Sequence, residues 1–184
     1  VLQSTIHVKA LVEKAIACEM PAVAFSDSGN MMGAFHFVES ANKHNAAVDS
    51  EIEDVRKSGQ EKEKEIALLE KKKILPIVGC EFQVCHDRND KSYKDNGYQI
   101  PFLAKNKKGY ENLIKLSSVG FIEGFYYVPR IDKEILLKYA NDIIITSGGL
   151  YGEISQLILN EGEKKAEEAL LWWKDKFNDD FYIE

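Results

Sequence analysis

The sequence predicts an α/β fold with a mostly parallel sheet, open or closed as a barrel. Two observations carry that expectation. Short apolar runs bounded by turn residues recur at Ala22–Phe25, Ile74–Val78, Tyr98–Ala104, Ile143–Thr146 and Phe181–Glu184, and segments with helical spacing of apolar residues separate them. The stretch Ala22 to Gly33, AVAFSDSGNMMG, passes from a buried-strand pattern through a polar turn, Ser26–Asn30, into a helix from about Met31. Strand-to-helix junctions of this kind are where α/β folds gather chemistry, because the loop is exposed while the sheet holds it.

The elements follow in order. His7–Glu19 places Val8, Leu11, Val12, Ala15 and Ile16 on one helical face, with Ser4 or Thr5 as N-cap. Met31–Asn42 reads as a second helix with Met32, Phe35 and Val38 inward. From Asn45 to Lys73 the chain is dense in Glu and Lys and broken at Gly59, which reads as a solvated helical hairpin inserted into the fold, residues 45–73. Its two short apolar clusters do not make the sustained heptad of a coiled coil. Phe82–Cys85 continues extended after the Ile74–Val78 strand, and residues 86–97 form a turn-rich loop. Pro101 inside the Tyr98–Ala104 strand calls for a bulge or a position that needs no ladder donor. Lys108–Ser118 is helical, residues 124–132 form an aromatic loop, and Asp132 is a natural N-cap for Lys133–Tyr139. Two helices, from about Tyr151 to Asn160 and from Gly162 to Phe177, precede the last strand.

Composition narrows the function. A chain of 184 residues with 45% hydrophobic content can bury one real core. The net charge of −6 is not that of a basic nucleic-acid-binding surface. No apolar run is long enough to cross a membrane and VLQSTIHVKA lacks the layout of a secretory signal. Three cysteines, Cys18, Cys80 and Cys85, have no zinc or redox spacing, so a reducing, cytoplasmic setting is expected.

Three acidic residues, Asp27, Glu81 and Glu184, stand at expected strand ends, where carboxylates could converge to hold divalent metals for phosphoester hydrolysis. None of the four histidines falls at such a place: His7 and His36 lie in helices, His44 follows one and His86 is in a loop. Carboxylates without imidazole make a poor transition-metal site. Nucleophile elbow, Walker-type loop and dinucleotide fingerprint are all absent from the sequence. Ser147-Gly148-Gly149 could cradle an anion or be an ordinary turn. Tyr126, Tyr127 and Arg130 either stack bases or pack a loop, and packing is the simpler reading.

Laid together, AFSDSGNMMGAFHF, ILPIVGCEF, YQIPFLAKNKKGYENLIKLSS, GFYYVPRID, TSGGLYGEI and DDFYIE resemble, in order, the polymerase-and-histidinol-phosphatase (PHP) domain at the N-terminus of bacterial replicative DNA polymerase III alpha subunits. The resemblance covers nearly the whole chain except the charged insert. It implies a distorted seven-stranded βα barrel of TIM-like kind with metal ligands at its strand ends, here a domain of residues 1–184 that is incomplete at both ends. It places Asp27 and Glu81 at ligand positions. It also places Ser28 and Gln99 where the family has histidine, and Gly149 where it has cysteine.

The resemblance therefore implies a non-catalytic scaffold within a DNA-directed DNA polymerase, with a degenerate metal site. That scaffold would dock the proofreading exonuclease subunit and join the remaining polymerase domains. Sliding clamp and clamp loader would be reached through the parent chain, and template-primer DNA held mainly elsewhere. No cofactor is expected in this segment. Magnesium would belong to the polymerase palm outside it, and zinc or manganese would bind only if the vestigial site still works. The alternatives are a metal-dependent phosphoesterase or 3'-5' exonuclease of the PHP family, which would need imidazoles at the Ser28 and Gln99 positions, and an unrelated α/β binding module.

Overall fold

A computed structural model describes residues 4–58 and 62–184. The chain divides into two compact units, residues Val1–Phe25 with Met32–Ile77 and residues Ser26–Met31 with Val78–Glu184.

The first unit is helical around the opening halves of two strands. Its helices are α1 (Val8–Ala17), α2 (Ala34–Lys57) and α3 (Glu63–Glu70). Neither Ser4 nor Thr5 caps α1. His7 occupies the N-cap without a side-chain bond, and the Ser4 hydroxyl instead accepts from the Ile6 N–H at 3.1 Å. Helix α2 does not stop at Asn42 but runs on to Lys57, so the charged segment begins as a continuation of the second helix. The reason is partly local and partly a distant contact. No glycine or proline interrupts residues 43–57, and Asn45, the residue best suited to end the helix, is otherwise engaged. Its amide donates to the Ile74 carbonyl and its carbonyl accepts from the Ile74 N–H, both at 2.9 Å. Val48, Ile52 and Leu69 are buried between α2 and α3, with Val55 and Ile66 against them, a small apolar seam under a charged exterior. The expected break at Gly59 lies outside the described residues.

The strands form one open sheet, and among the described residues nothing closes it into a barrel. They are β1 (Ala22–Ser28), β2 (Leu75–Cys85), β3 (Tyr98–Ala104), β4 (Arg130–Asp132), β5 (Ile143–Thr146) and β6 (Phe181–Tyr182), in the order β1-β2-β3-β5-β6 with β4 also paired to β2. The sheet is mixed rather than mostly parallel: β3 runs antiparallel to both β2 and β5, while β4 is parallel to β2 and β6 to β5. The loop of residues 86–97 carries no crossover helix, so the chain doubles back and β3 returns beside β2. Strand β4, read from sequence as loop, is too short to show an alternation of its own.

Pro101 sits opposite Glu81 in the β2–β3 ladder. The Phe102 carbonyl approaches Gly79 on the β2 side, so the main chain of Pro101 faces β5 by alternation. The β5 ladder begins only at Phe102, opposite Ile145. The missing N–H therefore costs no bond and ends the pairing there.

The second unit's helices are α4 (Lys107–Ile122), α5 (Lys133–Lys138), α6 (Glu153–Asn160) and α7 (Glu163–Phe177). Asn106 caps α4 by accepting from the Lys108 and Gly109 N–H groups, and Asp132 caps α5 through the Ile135 N–H at 3.0 Å, the second as expected. The core joins Phe82, Ile100 and Phe102 of the sheet to Leu113 and Leu116 of α4, Leu136 of α5 and Trp173 of α7. Trp173 is buried with its indole N–H on a Glu153 oxygen at 2.7 Å. The other oxygen of Glu153 takes the Lys133 ammonium at 2.7 Å, and that ammonium lies 4.3 Å from the centre of the Trp172 ring.

One buried cation organises the loops. Arg130 is fully buried and donates to the carbonyls of Gly124 at 3.0 Å, Asp95 at 2.9 Å, and Arg88 and Asp90 at 3.1 Å each. Beside it Arg88 pairs with Asp132 at 2.8 Å. Burial is the largest single influence on Asp132 and opposes its ionisation. The N–H groups of Ile135 and Arg88 and the Arg88 guanidinium together outweigh it and hold the carboxyl below its ordinary range.

Two outcomes follow from these contacts. Arg130→Met is expected to cost about 3 kcal/mol or more in urea unfolding, because four carbonyls lose their donor, and Arg130→Lys to recover only part, since an ammonium cannot reach all four. Full recovery by lysine would show that charge alone matters. Asp132→Asn should cost about 3 kcal/mol at pH 7. A depressed carboxyl stabilises above its unfolded range and loses that contribution as pH falls through its folded value. The gap between variant and wild type should therefore close only under acid conditions, below the usual carboxylate range. An equal gap at every pH would rule out the ion pair as its source.

Candidate functional site

The site is built in the second unit, where β1 ends. Asp27 and Ser28 are the last residues of β1, and Gly29 turns the chain with φ of 71°. A side chain at Gly29 would meet Pro129, with a Cβ only 2.9 Å from its Cγ, so the left-handed backbone and the close approach both demand glycine. Three bonds hold the turn: the Gly29 N–H donates to the Glu81 carbonyl at 2.8 Å, the Ser117 hydroxyl to the Gly29 carbonyl at 2.9 Å, and the Asn30 amide to the Ser28 carbonyl at 3.1 Å.

Glu81 is not at a strand end. Strand β2 is continuous from Leu75 to Cys85 and Glu81 lies within it. The sequence suggested that the Ile74–Val78 strand ends at Gly79-Cys80-Glu81, but Gly79 admits β3 and the strand runs on: a Cβ on Gly79 would fall 2.8 Å from the Phe102 carbonyl oxygen. The Glu81 carboxylate is engaged. Its Oε1 accepts from the Ser28 hydroxyl at 3.0 Å and from the Gln99 side-chain amide.

Ser28, Gln99 and Gly149, the three positions where the resemblance implies other residues, lie close in the fold. Ser28 and Gln99 meet on one carboxylate oxygen. Gly148, with φ of 80°, packs so tightly on the Gln99 carbonyl that a Cβ would come within 2.0 Å of its oxygen, which puts Gly149 one residue from that contact. Space beside Gly149 itself is open. Glu184 lies past β6, with its carboxylate accepting from the Thr146 hydroxyl at 2.7 Å and its N–H donating to the Ser147 hydroxyl at 2.9 Å.

Asp27 is half-buried, and its negative charge, after burial itself, helps push the Cys80 thiol far up. Burial likewise raises Cys85 to about 11. In the metal-free protein both thiols are thus held toward the protonated form, which is the poorer nucleophile.

The histidines do other work. His44 Nε2 meets the Lys72 carbonyl at 2.9 Å, His86 lies in the loop where its main-chain N–H donates to Asp95 at 2.9 Å, and His36 is an exposed neighbour of Glu39. Among the described residues, no group of three or more His, Cys, Asp and Glu side chains is placed to hold a metal ion. The donors at the site are two carboxylates, a hydroxyl and an amide. They lack the imidazole and thiolate of a zinc or manganese centre, and one carboxylate oxygen is already shared by two donors, so these residues do not fit such a metal.

The aromatic loop packs. Arg130 spends its guanidinium on four carbonyls with Tyr126 at 5.4 Å, and Tyr127, with φ of 64°, stays on the surface near the Lys94 ammonium. The Asp132–Arg88 pair escaped sequence reasoning, for 44 positions separate the partners.

No helix among the described residues is long and apolar enough to cross a membrane. The chain is 34% identical over 188 residues to the DNA polymerase III subunit alpha of Chlamydia trachomatis, with all of this chain and 13% of that protein covered. It is 34% identical over 187 residues to that of Borreliella burgdorferi, covering all of this chain and 14% of the relative, and 35% identical over 173 residues to that of Deinococcus radiodurans, covering 90% and 11%. The chain thus spans only a small fraction of the length of these relatives. The sequence pattern of the PHP domain matches residues 1–184, and the chain belongs to the PHP domain family.

Proposed function

We propose that this chain is a non-catalytic PHP domain of a replicative DNA polymerase alpha subunit, a scaffold that braces the remaining polymerase domains and docks a proofreading exonuclease subunit. Nucleotidyl transfer would belong to a magnesium-dependent palm elsewhere in the parent chain, with sliding clamp and clamp loader engaged through it and a cytoplasmic setting for the whole. The open sheet would be part of the family's barrel.

One observation carries the non-catalytic reading. Ser28 and Gln99, at positions where the resemblance puts imidazole ligands, both donate to Glu81 Oε1. Bonds to an ionised acceptor contribute about 1.5–3 kcal/mol each, more than those between neutral groups. A carboxylate that would bind metal in a hydrolytic relative would here bind two strands to a third. Asp27 and Glu81 remain the residues by which a phosphoesterase reading would stand.

The test is metal-linked stability. A ligand that binds only the folded state at 100 times its dissociation constant stabilises by about 2.7 kcal/mol. Protein purified without chelator should carry background zinc and manganese, and its Tm should not move with either ion, nor with chelator. Glu81→Gln should lower stability by about 1–3 kcal/mol in all three conditions alike. Stoichiometric metal, lost together with a metal-dependent Tm rise in Asp27→Ala and Glu81→Gln, would overturn the scaffold reading and restore a phosphoesterase.

A further inference from the structure

On the first unit, α1 and α2 enclose an open cavity of about 550 Å³ lined by His7, Val8, Lys9, His36, Glu39, Ser40 and Lys43. His36, Glu39, Ser40 and Lys43 follow one another at three, four and seven residues along α2, which stacks them on one face. His7 and Lys9 come from the start of α1. Two lysines and two imidazoles thus surround one carboxylate, on a chain whose net charge is −6. The first turn of α1 carries no acidic side chain, so nothing there offsets the positive end of its dipole.

The existing pairs are loose. Lys43 lies 4.0 Å from Glu39, His36 Nδ1 lies 3.7 Å from the other oxygen of Glu39, and Lys9 lies 3.7 Å from Glu13. The lysine side chains are 82% and 80% exposed and can swing toward the cavity at little cost. The Ser40 hydroxyl adds a neutral donor. The lining holds no Phe, Tyr or Trp, the large rings on which successive bases usually stack.

From this arrangement we infer that the α1–α2 cavity binds phosphate groups of a polynucleotide backbone, independently of base sequence. The polynucleotide source rests on the polymerase reading, while the phosphate chemistry rests on the cavity alone. Lys9 and Lys43 neutralise the phosphate, the imidazoles and Ser40 donate to its oxygens, and Glu39 opposes it. Each phosphate neutralised on a single strand contributes about −0.7 to the slope of log affinity against log salt.

The experiment uses the 184-residue chain. Anisotropy of a labelled dT12 oligonucleotide is titrated at several salt concentrations, and inorganic phosphate is titrated in parallel by NMR of the histidine ring signals at matched ionic strength. Lys9→Gln/Lys43→Gln is expected to weaken dT12 binding about tenfold and to flatten the salt slope by about 1.4, two phosphates' worth. Glu39→Gln is expected to tighten it about threefold, a gain that misfolding cannot mimic. Phosphate alone shifting the His7 and His36 signals, with no dT12 binding, would keep the phosphate site and overturn its polynucleotide source. Binding of neither probe, or binding indifferent to both variants, would overturn the inference. Neither result bears on the metal-linked stability that tests the scaffold reading.

Discussion

A buried guanidinium hydrogen-bonded to four carbonyl oxygens holds the second unit's loops together. Arg130 follows Pro129 at the start of β4 and ties Gly124, Arg88, Asp90 and Asp95 to one point. Burying a cation is expensive unless every donor is used. Here the guanidinium uses its planar fork on four acceptors that would otherwise need water. The stabilisation is collective, because no single bond would offset the desolvation. Main-chain oxygens are also fixed in direction, so the loops must adopt one arrangement to supply them. The neighbouring Arg88–Asp132 pair depends on that arrangement, since Asp132 caps α5 with the same carboxylate that receives Arg88.

The sheet transmits this order to the site. Strand β2 pairs with β4 through Gln83, Val84 and Cys85, and with β3 from Gly79 through Val84. Glu81 itself faces Pro101 of β3 in that ladder, and β2 lies between β1 and β3 in the sheet. That placement makes its carboxylate a fixed acceptor, and Ser28 and Gln99 converge on it from their own strands. Ser28 and Gln99 both commit a donor to Glu81. In a hydrolytic centre the polar groups would instead be held apart by a metal and left to polarise a substrate. On the scaffold reading proposed above, a hydroxyl and an amide donate to Glu81 at the positions where the resemblance implies metal-binding imidazoles.

The first unit uses a different economy of contacts. Where α2 meets α3 the charged helices bury a narrow seam, Val48, Ile52 and Leu69, while Val12 and Ala15 of α1 and Ala34, Phe37 and Ala41 of α2 are buried elsewhere in the unit. Exposed i,i+4 and i,i+3 pairs such as Lys57 with Glu53 and Lys62 with Glu65 add a few tenths of a kcal/mol each at most. Such a surface can change its charge pattern at small cost in stability, and Lys9 and Lys43 on α1 and α2 lie on it.

Sequence by itself determined what is local. The alternation of helical and extended segments, the cap at Asp132, the turn after β1 and the apolar face of α1 all rest on interactions within a few residues, and they were legible. So was the family, because GFYYVPRID and LAKNKKGYENL are specific strings. What depended on distant partners was not. The length of α2 was decided by Asn45 meeting Ile74, the continuity of β2 by Gly79 admitting β3, the antiparallel return of β3 by a loop without a helix, and the hidden strand β4 by its ladder to β2. The residues of the site were named in advance, but only the tertiary structure decided that Ser28 and Gln99 share one oxygen of Glu81. The reason is the same in each case: a hydrogen bond between residues tens of positions apart leaves no periodic trace in either segment, and becomes visible only when the sheet brings the two together.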